Sequence, residues 1–343
     1  MRKSTETPRF PEALCLFKFC LRVLETRKGS KVHDQEVGNI LNYNPSDTSH
    51  WKRGKKAVRN IYALELLSQN LDLNSELVQD IADGVIDLDE AWYEFEEAEE
   101  LRKANAALTP ELRVERQKRL KCIEKVAANL LEKSHIRTVP VFLPELLHAL
   151  PSISIVPGEV AEKIARSSKA KPGSFLIRYR KGDLRPHTRA AIAREIARVI
   201  LFSERENLGL FPKQEGLEFL EMIDLSNALL VPKTILVSEV QNQAPRTDLI
   251  RALGEIFWVP KSVIRSRMKQ VAWEGMTEHA LLTDALQTRT HNGATRNPTA
   301  SLSSPARMNL LMEDDSTASE VSVSRQPLNL SSGQAAADNK EPH

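Results

Sequence analysis

The sequence predicts a multi-domain protein in which an all-α domain is followed by an α+β domain and a disordered C-terminal tail. Three observations carry this. From Pro11 to about Phe95 the apolar residues recur at helical spacing, beginning with Leu14, Phe17, Leu21 and Leu24. Around Thr138 the character changes, as Val139, Val141, Ile153, Ile155, Phe175, Ile177 and Tyr179 bring β-branched and aromatic residues in short runs separated by Pro and Gly. From about Thr288 to His343 the chain is Ser, Thr, Asn, Ala and Pro with few large apolar residues, a composition that cannot offset the entropy of ordering. The 343 residues, 41% hydrophobic and 27% charged, supply enough apolar material for roughly two domains.

Within the all-α part, helical spacing continues through Val37, Ile40 and Leu41, then Ile61, Leu64, Leu67 and Leu71, then Leu77 and Ile81. The Glu-rich stretch that follows contains the run Glu96 to Glu100. With the helical Leu120 to Leu131 it reads as a solvated connecting region, Pro110 after Thr109 marking a fresh helix start. Beyond it, Pro151 to Val156 and Ser174 to Arg180 are the best strand candidates. Helices are expected at Thr188 to Phe202, Leu217 to Leu230, Thr247 to Phe257 and Lys261 to Trp273. The expected division is 1–95 for the first domain, 96–135 for a helical linker, 136–287 for the second domain and 288–343 for the tail.

The formal net charge is only +2, so affinity for a polyanion has to come from local clusters of Lys and Arg. Cys15, Cys20 and Cys122 form no C-x-x-C pair, which points to neither a disulfide framework nor a cysteine zinc site. The apolar run Ala13 to Leu24 is broken by Lys18 and Arg22, and no stretch approaches the roughly 18 uninterrupted apolar residues of a membrane span. The expectation is a cytoplasmic protein without a targeting segment or membrane partner.

The segment Asp34 to Leu41 reads as a short helix, Asn42-Tyr43-Asn44-Pro45 as a turn, and Ser46 to Gly54 as a second helix. Gly38 falls where the two helices must approach closely. Ser46 is placed to cap the second helix and Gly54 to end it in a left-handed conformation. Thr48 and Trp51, three apart, face inward and leave Ser46, Asp47, Ser49, His50 and Arg53 outside. Lys52, Arg53, Lys55, Lys56 and Arg59 then follow as a cluster able to neutralise phosphates. This segment resembles the lambda-repressor-like, or Xre-type, helix-turn-helix family, whose second helix commonly ends Ser-x-Trp-x-x-Gly, matched here by Ser49, Trp51 and Gly54. The resemblance covers about Lys31 to Ala82. It implies double-stranded DNA as partner, with Gln35, Ser46, Asp47, Ser49, His50, Lys52, Arg53, Lys55 and Lys56 at the interface, and binding as a homodimer. Where the family often opens its first helix with Gln, this chain has Asp34, with Gln35 next.

A second motif lies in the helix Thr188 to Phe202. Zinc peptidases place two His one turn apart around a Glu, in the frame H-E-x-x-H, so that both imidazoles reach one cation. The same frame here reads Arg194-Glu195-Ile196-Ala197-Arg198. With the preceding strand, Arg189, Ile192 and Ala193, and the downstream segment Glu221 to Pro232 closing on Leu229-Leu230-Val231-Pro232, this resembles the ImmA/IrrE family of metallopeptidases over roughly Arg137 to Met268. The resemblance implies a zincin-like α+β fold and places Glu221 at the third ligand position. Arginine stays protonated and has no lone pair to give, so the positions Arg194, Glu195, Arg198 and Glu221 are expected to form a degenerate site without metal, cofactor or catalytic residue, filled by salt bridges. His187 is expected before the helix, as a surface or loop residue. A third segment, Asp248 to Met268, again reads helix, turn, helix, and is expected to pack on the preceding domain more readily than to touch DNA through Lys261, Arg265 and Arg267.

Taken together, these features lead to the expectation of a sequence-specific transcriptional regulator whose inactive metallopeptidase-like domain senses a small-molecule effector or a protein partner. Two other readings stand beside it: a zinc metalloprotease that cleaves a repressor, and a protein-interaction module of a toxin-antitoxin or stress system.

Overall fold

The computed structural model describes residues 7–160, 164–182, 184–243 and 248–272. The described chain is a mostly helical α+β structure with a small mixed three-stranded sheet. The tail expected at 288–343 lies outside the described residues, as do Thr247 and Trp273 at the ends of two expected helices.

Helices α1 (Pro11–Lys28), α2 (Asp34–Ile40), α3 (Pro45–Lys52), α4 (Ile61–Asn70) and α5 (Ser75–Ala82) surround one hydrophobic core. Pro11 opens α1, where its missing N–H is not needed, and Gly29 closes it in the left-handed conformation. Leu16, Phe17, Phe19 and Val23 of α1 are buried at the centre, and Trp51 of α3 meets the Phe17 ring edge-on at 5.1 Å.

Helix α6 (Leu88–Ala106) adds Trp92 and Phe95 to this core, while α7 (Pro110–Lys133) belongs to the next one. Asp87 caps α6 and forms a reciprocal capping box with Glu90. Burial opposes ionisation of Asp87, but its hydrogen bonds and the Arg180 guanidinium outweigh that and hold the carboxyl below its ordinary range. These helices correct the expectation of a solvated linker at 96–135. The boundary at 95/96 falls inside α6, and Leu120, Ile123, Val126, Ala127, Leu130 and Leu131 of α7 are buried. The acidic run misled because two of its carboxylates, Glu97 and Glu99, are paired with Arg194 and Arg27 from other helices.

After α8 (Leu143–Leu146) come β1 (Ile153–Gly158), β2 (Ala165–Lys171) and β3 (Ser174–Arg180). The sheet order is β1-β3-β2, with β1 parallel and β2 antiparallel to β3. Ile153 lies opposite Phe175, and Ile155 opposite Ile177. Both strand candidates formed, β1 two residues later than expected at each end, but β2 was not anticipated. Its sequence, Ala-Arg-Ser-Ser-Lys-Ala-Lys, has almost no strand propensity, and an edge position with a solvated outer side permits such a composition.

Helix α9 (Pro186–Val199) crosses the sheet, and its last turn widens into a π-helical stretch at Ile200–Glu204. Helices α10 (Glu218–Leu230), α11 (Lys233–Asn242) and α12 (Leu249–Phe257) follow, and residues 261–272 are again helical. Most of α9 and α10 is buried, which makes them the spine of the second core. Among the described residues no helix is long and apolar enough to cross a membrane.

Candidate functional site

Helices α2 and α3 meet at Gly38. A Cβ built there would lie 2.0 Å from Thr48 Oγ1 and 2.9 Å from Thr48 Cβ, so the close approach excludes even a methyl group. Thr48 in turn donates to the Asn44 carbonyl at 3.0 Å. The N-cap of α3 is Asn44, whose side chain accepts from the Asp47 N–H at 2.9 Å. This corrects the assignment to Ser46, which sits inside the first turn because Pro45 has already begun the helix. Gly54 ends the motif with φ +64° as expected, and a Cβ there would strike Phe10 O at 2.8 Å.

Thr48 and Trp51 are buried, while Ser46, His50, Lys52, Arg53 and Lys55 are exposed and Asp47, Ser49 and Lys56 are half-buried. The nine expected interface residues thus divide. Gln35 is half-buried and engaged inside the motif, donating to Asn39 Oδ1 at 2.9 Å and to the Tyr43 carbonyl at 2.8 Å, so it braces the turn. Asp47 receives Lys56 Nζ at 2.9 Å, and Lys56 also lies 4.0 Å over the Tyr43 ring. Lys52 pairs with Asp34, so the acidic residue at the helix opening carries its own counter-charge. Arg53 folds back on Ser49, with Nε 3.2 Å from the hydroxyl. Exposed pairs of this kind contribute roughly 0–1 kcal/mol each and exchange readily for a phosphate.

The metal frame has a different character. Arg194 is buried, its Nε and Nη2 donating to the two Glu97 oxygens at 2.9 and 2.8 Å and its Nη1 to Asn227 Oδ1 at 3.0 Å and to the Ser226 hydroxyl. Burial disfavours its charge, yet Glu97 and its neighbours raise its pKa above the ordinary guanidinium value, so it stays cationic. Glu195 accepts from Ser167 N at 2.9 Å, Ser167 Oγ at 2.6 Å and Arg198 at 2.7 Å. Glu221 lies between two other arginines, Arg119 at 2.7 Å and Arg205 at 2.8 Å. The four frame positions are therefore filled by ion pairs, but only Arg198 and Glu195 pair with each other, and Glu221 belongs to a separate cluster. Among the described residues no group of three or more His, Cys, Asp or Glu side chains is placed to hold a metal ion. Fixed guanidinium groups at two positions of the frame repel a dication and offer it no ligand, so the residues present do not fit zinc.

His187 also differs from expectation. It lies in the first turn of α9, is buried, and has Nε2 2.9 Å from Glu94. In the third helical segment, Arg267 is fully buried on the Val231 carbonyl and Glu124, Lys261 pairs with Asp80 at 2.9 Å, and Arg265 contacts Glu76. These three cations are bound within the chain, as packing requires.

Sequence reasoning missed Glu97, Arg119 and Arg205. A charge-balance argument would have found the first of them: an apolar helix holding Arg189, Arg194 and Arg198 needs carboxylates from elsewhere, and the densest acidic run is Glu96 to Glu100. Compared with known proteins, the chain matches no family model, no curated protein and no solved structure.

Proposed function

We propose that the chain is a sequence-specific DNA-binding regulator whose second half is a metallopeptidase-like scaffold without catalysis, used for sensing or association. One observation carries this reading most: α2 and α3 are held together by the Gly38–Thr48 approach while Ser46, His50, Lys52, Arg53 and Lys55 of the second helix and its exit stay exposed. Short polar groups followed by cations on one exposed helix suit a major groove, where the cations grip phosphate and the short groups meet base edges. Binding as a homodimer is part of the proposal, since two half-sites multiply affinity and specificity. The protease alternative needs a metal that the arginines of the frame disfavour, and metal analysis of the purified protein separates the two: stoichiometric zinc overturns the non-catalytic half of the reading.

The electrostatic part is tested by measuring duplex affinity across a salt series. Lys52→Ala and Arg53→Ala are each expected to weaken binding and to lower the slope of log affinity against log salt by about one. Unchanged slopes would remove these residues from the interface.

A further inference from the structure

The hairpin formed by β2 and β3 carries charge of one sign. From Ile164 to Gly182 it holds Arg166, Lys169, Lys171, Arg178, Arg180 and Lys181 and no carboxylate, in a protein whose formal net charge is only +2. On β2, Ser167 and Lys169 turn toward α9 and its extension: Ser167 donates to Glu195, and Lys169 lies 5.1 Å over the Phe202 ring. Arg166 and Ser168 alternate with them and point to the opposite face of the sheet. There Arg166 stands directly across the ladder from Arg178, both side chains are exposed, and the Arg178 stem passes over Gly158 of β1. Residues opposed in this way sit about 5 Å apart at Cβ, where like charges destabilise the sheet. Other exposed cations are matched: Lys52 by Asp34, Lys56 by Asp47, Arg59 by Glu12. Among the described residues Arg166, Lys171, Arg178 and Lys181 have no carboxylate partner.

Opposed guanidinium groups are relieved by an anion that meets both, and the rest of the hairpin selects which. A membrane surface needs apolar side chains beside the cations, but the turn is Lys171-Pro172-Gly173-Ser174 and no large hydrophobic side chain of the hairpin is exposed. Single-stranded nucleic acid needs exposed rings on which bases stack, whereas Phe175 is buried and Tyr179 packs against the second core. The backbone of a duplex asks for charge alone, and a two-stranded ribbon is narrow enough for a major groove. We propose that the β2–β3 hairpin is a second, sequence-independent grip on duplex DNA, with Arg166 and Arg178 on phosphates and Lys171 and Lys181 at its two ends. The proposal rests on the DNA-binding reading above for its partner, but not on the contacts of α3.

The test is fluorescence anisotropy of a labelled duplex of random sequence, titrated with the full chain across a salt series. Arg166→Gln with Arg178→Gln is expected to weaken binding about tenfold at modest salt and to lower the slope of log affinity against log salt by about two. Arg166→Lys with Arg178→Lys keeps both charges and should keep the slope. The Gln pair removes a like-charge opposition from a solvated face, so its melting temperature should equal or exceed that of the parent, which separates lost binding from lost folding. An unchanged slope in the Gln pair, or a slope lost in the Lys pair, would overturn the proposal. Binding to poly-glutamate or to vesicles containing phosphatidylglycerol as tight as to the duplex, and lost in the Gln pair, would assign the hairpin to an acidic protein or a membrane and overturn it equally. Lys52→Ala with Arg53→Ala is measured in parallel: a slope that falls there but not in the Gln pair removes the hairpin and leaves the α3 reading standing, and the reverse removes α3 alone.

Discussion

Replacing Arg194 by methionine should destabilise the protein by about 3–5 kcal/mol, the cost of leaving a buried carboxylate without its cation. Arg194 holds Glu97 from α6 and Ser226 and Asn227 from α10, so three elements lose their shared partner at once. The effect has a second, more selective signature. In the double variant Arg194→Met with Glu97→Met, no unpaired charge remains, and an apolar pair of similar volume often matches or exceeds a buried ion pair. The double variant should therefore be more stable than Arg194→Met alone, which chemical denaturation of the full chain can measure. Additive losses would mean that Arg194 is not a structural rivet between α9, α6 and α10.

The second large effect is expected at Gly38. In Gly38→Ala the new methyl would lie 2.0 Å from Thr48 Oγ1, well inside contact distance, and α3 carries Thr48 on backbone that cannot simply rotate away. Overpacking of this kind costs about 1–3 kcal/mol, and here relief requires α2 and α3 to part. DNA affinity should fall by more than the stability loss alone implies, because the spacing of the exposed residues on α3 changes. Adding Thr48→Ala removes the atom at 2.0 Å but leaves Cβ at 2.9 Å, so it should restore binding in part. Unaltered affinity in Gly38→Ala would show that the α2–α3 geometry is irrelevant to the duplex.

Much of this architecture could be read from residue spacing. Thr48, Trp51 and Gly54 define the inner face and the end of a helix through local chemistry alone, and α9 announced itself by apolar periodicity. What escaped was non-local. Strand β2 is held by pairing with β3 and by Glu195 on Ser167, neither of which leaves a mark in Ala-Arg-Ser-Ser-Lys-Ala-Lys. The bond from Gln35 to the Tyr43 carbonyl leaves no mark in the sequence either. Glu97 looked solvated for the same reason: its partner stands 97 positions away in sequence, and charge density alone does not say which side of a helix is wet.

The most direct measurement is selection of binding duplexes from a random pool by the full chain at modest salt, repeated with the variant His50→Ala, Arg53→Ala. A recurring motif enriched by the parent chain and lost with the variant is the predicted result, since the exposed face of α3 would then be reading base edges. A pool that stays random, or the same motif enriched by the variant, would contradict the placement of that face in a duplex groove.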